Sequence, residues 1–183
     1  PVSGEVFLLS FGGWQERFKV SLPNHGKLVW TTNNSSGISD MDSGDANKLE
    51  PGVWKHVVFV HDGTNDKIYM NGVEVASKAV AGTMNSTNRP LGIGYNPIDV
   101  GNYFNGVLDE VQIYNSALSA GQIATLYANQ NTVPTASAAI VASYLFNNNT
   151  LDNTSYANHA QAKDVKSTTN RFGYGNSAYA FNG

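Results

Sequence analysis

The segment WKHVVFVHDGTNDKIYMNGVEVAS, residues 54–77, decides the fold class. Its first apolar run alternates between two faces with the two-residue period of a β-strand. An Asp-Gly pair at residues 62–63 interrupts the alternation, and residues 68–70 resume it. The Asn-Gly pair at residues 71–72 predicts a two-residue hairpin, because both central positions of a type I′ turn need positive φ. The segment therefore predicts three strands joined by two turns.

Composition excludes several classes of function. Charged residues make up 14% of the 183 residues, against roughly 25% in an average soluble domain. Asn, Ser, Thr and Gly supply the polar surface instead, which is typical of secreted or cell-surface β-proteins rich in turns. The net charge of −3 provides no basic surface for nucleic acid. No apolar run approaches the roughly 18 residues of a membrane span, so we expect no membrane insertion. Cysteine is absent, which excludes disulfides and Cys-ligated zinc.

Other short apolar runs predict further strands, at residues 6–11, 18–22, 27–31, 91–94, 104–114, 140–146 and 177–181. A long polar loop is predicted over residues 33–47. One short helix is predicted to end near Ala128, because Ser119 and Gln122 have the spacing of a capping box. Many short strands with a single helix predict an all-β sandwich of two antiparallel sheets.

Two blocks of sequence resemble a known family. GVWKHVVFVHDG followed by KIYMNGVEV is similar to the central strands and hairpin of laminin-G-like domains, and YFNGVLDEVQIYNSALSAGQIATLY to their closing strand and helix. The family is the concanavalin A-like lectin/glucanase jelly roll, in the form common in bacterial surface proteins. The resemblance covers residues 6–127 and implies a jelly-roll sandwich.

A third block stands in an unexpected place. Residues 140–183, which include SYLFNNNT and RFGYGNSAYAFNG, resemble the opening of such a domain although they end the chain. We therefore predict a laminin-G-like core without its opening strands in residues 1–128, a linker in residues 129–138, and a displaced opening segment in residues 139–183.

Three arrangements of that segment stay open. It folds back to complete this chain, it donates strands to a neighbouring copy, or it forms a loosely ordered tail. An open sheet edge with exposed apolar surface favours the first two arrangements. Two hypotheses explain this order: the chain is a segment of a tandem array with its boundaries inside the repeats, or it is a circular permutant.

The resemblance implies a calcium site. Asp109 shares a predicted strand face with Val107 and Val111, where a carboxylate is costly unless it is paired or metal-bound. In jelly rolls of this shape an Asp at this place ligates structural Ca²⁺ with oxygens near the opening strand, which here correspond to Asn147. The alternative is a carboxylate that accepts backbone N–H bonds. The DMDSGD cluster at residues 40–45 lacks EF-hand spacing and is better explained as a solvated acidic loop.

Aromatic residues are candidates for ligand binding. Trp14, Trp30 and Tyr95 fall near turns, strand ends or a glycine-containing loop, where exposed rings would stack on sugars. The alternative for each is packing in the core. Trp54 is expected in the core.

No catalytic set is visible. Retaining glycosidases need two carboxylates about 5–5.5 Å apart, and the sequence has no E-x-D-x-x-E-like run; Asp109 and Glu110 are adjacent and predicted to face opposite ways. We therefore expect a non-catalytic binding or adhesion module of a larger secreted or surface protein, with a glycan or a surface protein as ligand. The alternative is a structural repeat of an extracellular fibre that self-associates by strand exchange. A degenerate glycanase is a third possibility.

Overall fold

A computed structural model describes residues 4–98, 101–129 and 140–183. Its contacts divide the chain into two compact units, and each unit is discontinuous in sequence. Unit 1 comprises Pro1–Tyr103 and Ala117–Pro134, and unit 2 comprises Phe104–Ser116 and Thr135–Gly183. Every strand pair in the described residues is antiparallel, which confirms the predicted all-β sandwich class.

Unit 1 contains a five-stranded and a three-stranded sheet. The larger sheet, in the order β4-β3-β2-β1-β8, is formed by β1 (Val6–Phe11), β2 (Phe18–Leu22), β3 (Val29–Asn34), β4 (Gly37–Asp42) and β8 (Leu91–Ile93). The smaller sheet is formed by β5 (Val57–His61), β6 (Asn65–Met70) and β7 (Val73–Ala79). These last three strands confirm the reading of residues 54–77, and Asn71 has the positive φ (50°) that the hairpin requires.

The two sheets of unit 1 meet through β3. The Trp30 ring lies 5.6 Å from that of Phe59 in β5. Thr32 donates its hydroxyl to Oδ2 of the fully buried Asp66 in β6 (2.7 Å). His61 in turn places Nδ1 2.8 Å from Oδ1 of Asp66 and Nε2 2.7 Å from the carbonyl oxygen of Gly82. A buried polar network therefore accompanies the apolar contacts between the sheets.

Two helices and a short 3₁₀ helix complete unit 1. They are α1 (Gly13–Glu16), α2 (Ala120–Asn129) and the 3₁₀ helix Asp45–Asn47. The capping box of α2 is present: Ser119 donates its N–H to Oε1 of Gln122 (2.8 Å), and Gln122 donates its N–H to Oγ of Ser119 (3.3 Å). No helix in the described ranges is long and apolar enough to cross a bilayer.

The predicted loop over residues 33–47 is wrong for residues 33–34 and 37–42, which lie in β3 and β4. Thr31, Thr32 and Asn33 pair with Asp40, Ser39 and Ile38, so that β3 and β4 form a hairpin closed at Ser35-Ser36. β4 lies at the edge of its sheet. Edge strands commonly carry polar side chains. Because the residues of β4 are mostly polar, the sequence showed no apolar alternation there and the strand was predicted as a loop.

Unit 2 combines two stretches of chain. β9 (Asn105–Leu108) and β10 (Val111–Tyr114) come from the first stretch, and β11 (Ile140–Tyr144), β12 (Val165–Thr168) and β13 (Ala178–Asn182) from the second. β10 pairs with β11, and β13 lies between β12 and β9. Residues 105–114 are thus hydrogen-bonded to residues 140–182 of the same chain.

The core of unit 2 is aromatic. Phe146 makes an edge contact with Tyr179 (5.3 Å between ring centroids) and stacks on Tyr144 (6.3 Å), while Phe104 lies 6.2 Å from Phe181. Most of the predicted linker, residues 130–138, lies outside the described residues. Whether the chain divides into domains at residues 128 and 139, with a displaced opening segment, stays a prediction.

Candidate functional site

A polar cleft of about 640 Å³ opens in unit 1. α1 contributes to one side of it, and the loop of residues 85–89, between β7 and β8, to the other. The side chains that line it are all polar: Gln15, Glu16, Asn85, Ser86, Thr87, Asn88 and Arg89. The described lining residues therefore offer amides, hydroxyls, one carboxylate and one guanidinium, and none of them is apolar.

Asn33, at the end of β3, holds both sides of the cleft. Asn85 donates its N–H to the carbonyl oxygen of Asn33 (3.0 Å) and its Nδ2 to Oδ1 of Asn33 (2.9 Å). Nδ2 of Asn33 donates to the carbonyl oxygen of Gln15 (2.8 Å). Arg17 adds a bond from Nη1 to the carbonyl oxygen of Asn85 (2.6 Å). The lining residues are thereby fixed to the five-stranded sheet, although they lie in a short helix and a loop.

Glu16 carries the negative charge of the cleft. Thr87 donates its hydroxyl to Oε2 of Glu16, and Arg89 donates its Nε to Oε1 (3.1 Å). The Thr87 hydrogen bond and the Arg89 contact lower the pKa of the Glu16 carboxyl. A general acid needs a raised pKa near the working pH. Glu16 is therefore suited to accept hydrogen bonds from a ligand and unsuited to donate a proton.

The close approach of the loop to α1 requires glycine at residue 12. Gly12 has φ of 68° at the start of α1, a region that residues with a side chain rarely adopt. A Cβ there would stand 2.7 Å from Oγ1 of Thr87 and 2.9 Å from Cβ of Glu16. Both contacts are too short, so the absence of a side chain is what lets Thr87 reach Glu16.

Trp14 is one of the predicted ligand-binding residues. It lies in α1 immediately before Gln15 and Glu16, and 38% of its surface is exposed. Trp14 is therefore next to two lining residues in the sequence, but it is not itself a lining residue. Tyr95 is half-buried, stacks on Tyr103 with 6.4 Å between ring centroids, and is likewise not a lining residue.

The expectation that Trp30 is an exposed aromatic at a strand end is wrong. Trp30 lies within β3, is 3% exposed, and packs between Phe18 (5.3 Å) and Phe59 (5.6 Å). Because side chains alternate between the two faces of β3, the Trp30 ring lies in the core. It therefore has no exposed face on which a sugar could stack. Trp54, expected in the core, is 39% exposed.

Asp109 is paired with an arginine that no local sequence pattern connects to it. Nη1 of Arg171 donates to Oδ2 of Asp109 (3.1 Å), and Nη2 donates to Oε2 of Glu110 (2.7 Å). The Asp109 side chain is 3% exposed. Burial raises the pKa of Asp109 to about 6, with a contribution from the Glu110 charge, while Arg171 acts in the opposite direction.

The expectation of one continuous strand over residues 104–114 is also wrong. β9 ends at Leu108 and β10 begins at Val111. Between them Glu110 adopts a left-handed conformation with φ of 50°. This break lets two carboxylates that are adjacent in sequence contact one guanidinium, whereas neighbours in a regular strand point to opposite faces.

The surroundings of Asp109 and Asn147 do not fit a calcium cage. Calcium takes six to eight oxygen ligands, but Asp109 already contacts a guanidinium. Asn147 is exposed, and its carbonyl oxygen accepts a bond from Nδ2 of Asn149 (3.0 Å). Across residues 4–98, 101–129 and 140–183, no three His, Asp or Glu side chains are grouped closely enough to hold a metal ion. A calcium ion held by Asp109 and Asn147 therefore stays a prediction that the geometry of these two residues does not favour.

Sequence reasoning missed the lining residues as a group. The run Asn-Ser-Thr-Asn-Arg at residues 85–89 was visible as a polar stretch. Nothing local shows that it meets residues 15–16, because Arg89 and Glu16 are 73 residues apart in sequence.

Comparison with protein families identifies the superfamily of this fold. The profile of the concanavalin A-like lectin/glucanases superfamily matches residues 3–124. No curated protein matches the chain.

Solved structures show the same fold. A protein from Bacteroides ovatus, described as a candidate carbohydrate-binding protein, superposes with a TM-score of 0.62 and 18% identity over 98% of this chain and 48% of its own. A heptameric SAP-like pentraxin from Limulus polyphemus superposes with a TM-score of 0.51 and 19% identity, over 75% of this chain and 73% of its own. The chain thus spans about half the length of the Bacteroides protein. At sequence identities of 18% and 19%, the similarity to these two structures shows a shared fold alone.

Proposed function

The chain belongs to the concanavalin A-like lectin/glucanase superfamily, and from that premise we propose that it is a non-catalytic module that binds a neutral glycan at the polar cleft between α1 and the loop of residues 85–89. The all-polar lining of the cleft is the observation that carries the proposal. The description of the similar Bacteroides ovatus protein as a candidate carbohydrate-binding protein supports the same class of ligand.

The groups in the cleft match the hydroxyls of a sugar. Each sugar hydroxyl both donates and accepts a hydrogen bond. Asn88 and Gln15 offer amide donors and acceptors, and the Glu16 carboxylate offers strong acceptors. Trp14 adds an exposed ring of the kind that stacks on the C–H face of a sugar.

Charge favours a neutral glycan over an acidic one. The carboxylate and the guanidinium among the described lining residues, Glu16 and Arg89, contact each other. An incoming uronate would gain from Arg89 and lose to the neighbouring carboxylate, so that it has no net advantage. A neutral sugar can use both groups as partners without carrying charge into the cleft.

The cleft does not favour glycosidase chemistry. A retaining glycosidase needs two carboxyl groups, one of them with a raised pKa. Among the described residues that line the cleft, Glu16 is the one with a carboxyl group, and its pKa is lowered. Asp109, whose pKa is raised, lies in the other unit and shares Arg171 with Glu110.

Affinity electrophoresis tests the proposal. The full chain is run through gels that contain a soluble β-glucan, a xylan, a galactomannan or, as the acidic comparison, polygalacturonate. We expect at least one neutral polysaccharide to retard the protein, and Trp14→Ala and Asn88→Ala each to weaken that retardation about three- to tenfold, by loss of a stacking or a hydrogen-bonding partner.

Trp54→Ala is the matched control, because Trp54 is as exposed as Trp14 but, unlike Trp14, is not next to a lining residue in the sequence. It should migrate like the wild type. The proposal fails if no neutral polysaccharide retards the wild type, or if both cleft variants are retarded as strongly as the wild type.

The setting we propose for this module is a larger secreted or cell-surface protein. The low charged fraction and the Asn- and Gly-rich turns support it. A protein ligand on a cell surface is an alternative to a free glycan, and its glycans would present the same hydroxyl chemistry to the cleft.

A structural repeat that assembles by strand exchange is the second candidate function. The pairing of β9 and β10 with β13 and β11 favours it, because these partners lie in separate stretches of chain. A neighbouring copy could supply the same strands at little cost, as in domain swapping. Residues 139–183 would then act as a displaced opening segment.

Mass in solution distinguishes the two arrangements. Light scattering from the full chain at two concentrations tenfold apart should show oligomers that grow with concentration if strands are exchanged. A strictly monomeric species at both concentrations would exclude the fibre.

A further inference from the structure

In unit 2, residues 170–176 form a tight turn, here called the aromatic turn, that carries two exposed rings. Tyr174 is 67% exposed and Phe172 is 44% exposed. Their ring centroids are 6.4 Å apart and their planes are inclined by 56°. Two neighbouring aromatic side chains in water gain little from burial, so packing does not account for them.

Asn170 fixes the conformation of this turn. Its Oδ1 accepts the N–H of Phe172 (3.0 Å) and the N–H of Tyr174 (3.1 Å). Its own N–H donates to the carbonyl oxygen of Tyr174 (3.0 Å), and its carbonyl oxygen accepts the N–H of Gly173 (3.1 Å). Four bonds to one residue hold the backbone under both rings.

Arg171 fixes the Phe172 ring. Its guanidinium lies 4.4 Å from the ring centroid of Phe172, and its nitrogens donate to Asp109 and Glu110. The cation is therefore held at the ring by a partly buried ion pair. Phe172 is thereby ordered on one side, and a ligand that stacks on this turn pays little further cost for ordering the rings.

From this geometry we propose that the aromatic turn is a second carbohydrate-binding surface, formed by other residues than the cleft, which takes a pyranose ring on the face of Tyr174 with the Phe172 ring beside it. Rings of this kind match the C–H face of a pyranose, and the Tyr174 hydroxyl can bond a sugar hydroxyl at the edge. The inference does not depend on the cleft being a glycan site.

The size of the surface favours a sugar over a protein partner. An aromatic side chain buries about 150–250 Å² at most, so two rings offer well under the roughly 800 Å² per partner of a stable protein interface. One or two sugar rings need no larger surface.

NMR titration of the isotope-labelled full chain tests the proposal, with methyl β-D-glucopyranoside and methyl β-D-galactopyranoside as probes. The amides of Gly173 and Tyr174 and the ring protons of Tyr174 should shift in a saturable way with at least one glycoside. Glycerol, which has hydroxyls but no ring face, should not shift them.

Variants separate stacking from hydrogen bonding. Tyr174→Ala should weaken binding at the turn about three- to tenfold, and Tyr174→Phe, which keeps the ring, should retain most of it. Tyr156→Ala is the matched control, because Tyr156 is an exposed tyrosine (57%) elsewhere in unit 2. It should leave the titration unchanged.

The outcomes distinguish this surface from the cleft. Shifts at the turn that persist in Trp14→Ala support an independent site. No saturable shift at the turn with either glycoside overturns the inference, even if the cleft amides of Gln15 and Asn88 respond. An equal response to glycerol, or a loss of the turn's response in Trp14→Ala, also overturns it.

Discussion

Each unit contains an arginine that contacts carboxylates, and the two clusters behave differently. In the cleft of unit 1, Arg89 (54% exposed side chain) contacts Glu16 (35%). In unit 2, Arg171 (21%) contacts Asp109 (3%) and Glu110 (28%). The pKa of Glu16 is lowered, and that of Asp109 is raised to about 6. Both carboxylates contact an arginine, and the opposite directions follow from the burial of Asp109 and from the second carboxylate, Glu110, beside it.

The physical reason is the cost of desolvation. Glu16 keeps solvent and gains two donors, so its charged form is favoured. Asp109 loses solvent and has a second carboxylate beside it, and one shared guanidinium does not offset both effects. The exposed cluster is therefore available to a ligand, whereas the buried one stabilises the break between β9 and β10.

The largest expected difference between the two clusters is in the free energy of unfolding after Arg171 or Arg89 is replaced by alanine. Arg171→Ala should lower the free energy of unfolding by about 3 kcal/mol, because it leaves the buried Asp109 without its cation. Arg89→Ala should leave it almost unchanged, because exposed ion pairs contribute little. Urea unfolding of the full chain at pH 7 measures both. Equal losses in the two variants would contradict the assigned roles of the two clusters.

The next effect is a pH dependence that originates at Asp109. Its pKa is higher in the folded protein (about 6) than the ordinary value of 3.8. Between about pH 4 and pH 6 the folded state therefore binds more protons than the unfolded state, and stability falls as pH rises through this range. The expected loss is at most about 3 kcal/mol, and Asp109→Asn should remove it.

Glu16→Gln is the comparison for this experiment. The pKa of Glu16 is lowered in the folded protein, so its contribution to stability is present at neutral pH and lost as pH falls below the ordinary carboxyl range. The two variants should therefore change the pH profile of the unfolding free energy in opposite directions. Profiles that change in the same direction would show that burial does not set the sign.

The smallest effect concerns the shape of the cleft. Gly12→Ala introduces a Cβ at positive φ and within 2.7 Å of Thr87 Oγ1, which should cost about 1 kcal/mol and weaken retention on a neutral polysaccharide gel. Gly121→Ala is its control, because a Cβ at Gly121 in α2 meets nothing within 4 Å, and it should slightly stabilise the protein. Retention unchanged in Gly12→Ala would show that the Thr87–Glu16 contact does not shape the binding site.

Features set by neighbouring residues were predictable from the sequence. The three strands of residues 54–77 and the capping box of α2 depend on side-chain period and on turn or cap chemistry, which act over a few residues. β4 was missed because its polar residues suit an edge strand and give no apolar alternation. The break at Glu110 was missed because a left-handed glutamate has no local signal.

The sequence by itself determined the three strands of residues 54–77, their Asn-Gly turn, the helix cap and the family, since each follows from short-range sterics or from a recurrent motif. Only the tertiary structure decided which charges meet: Arg89 reaches Glu16 across 73 residues, and Arg171 reaches Asp109 across 62. It also decided which tryptophan is buried, because Trp30 faces the second sheet and Trp14 does not take part in the core. The reason is that solvation and Coulomb interactions depend on distance in space, which the order of residues along the chain does not specify.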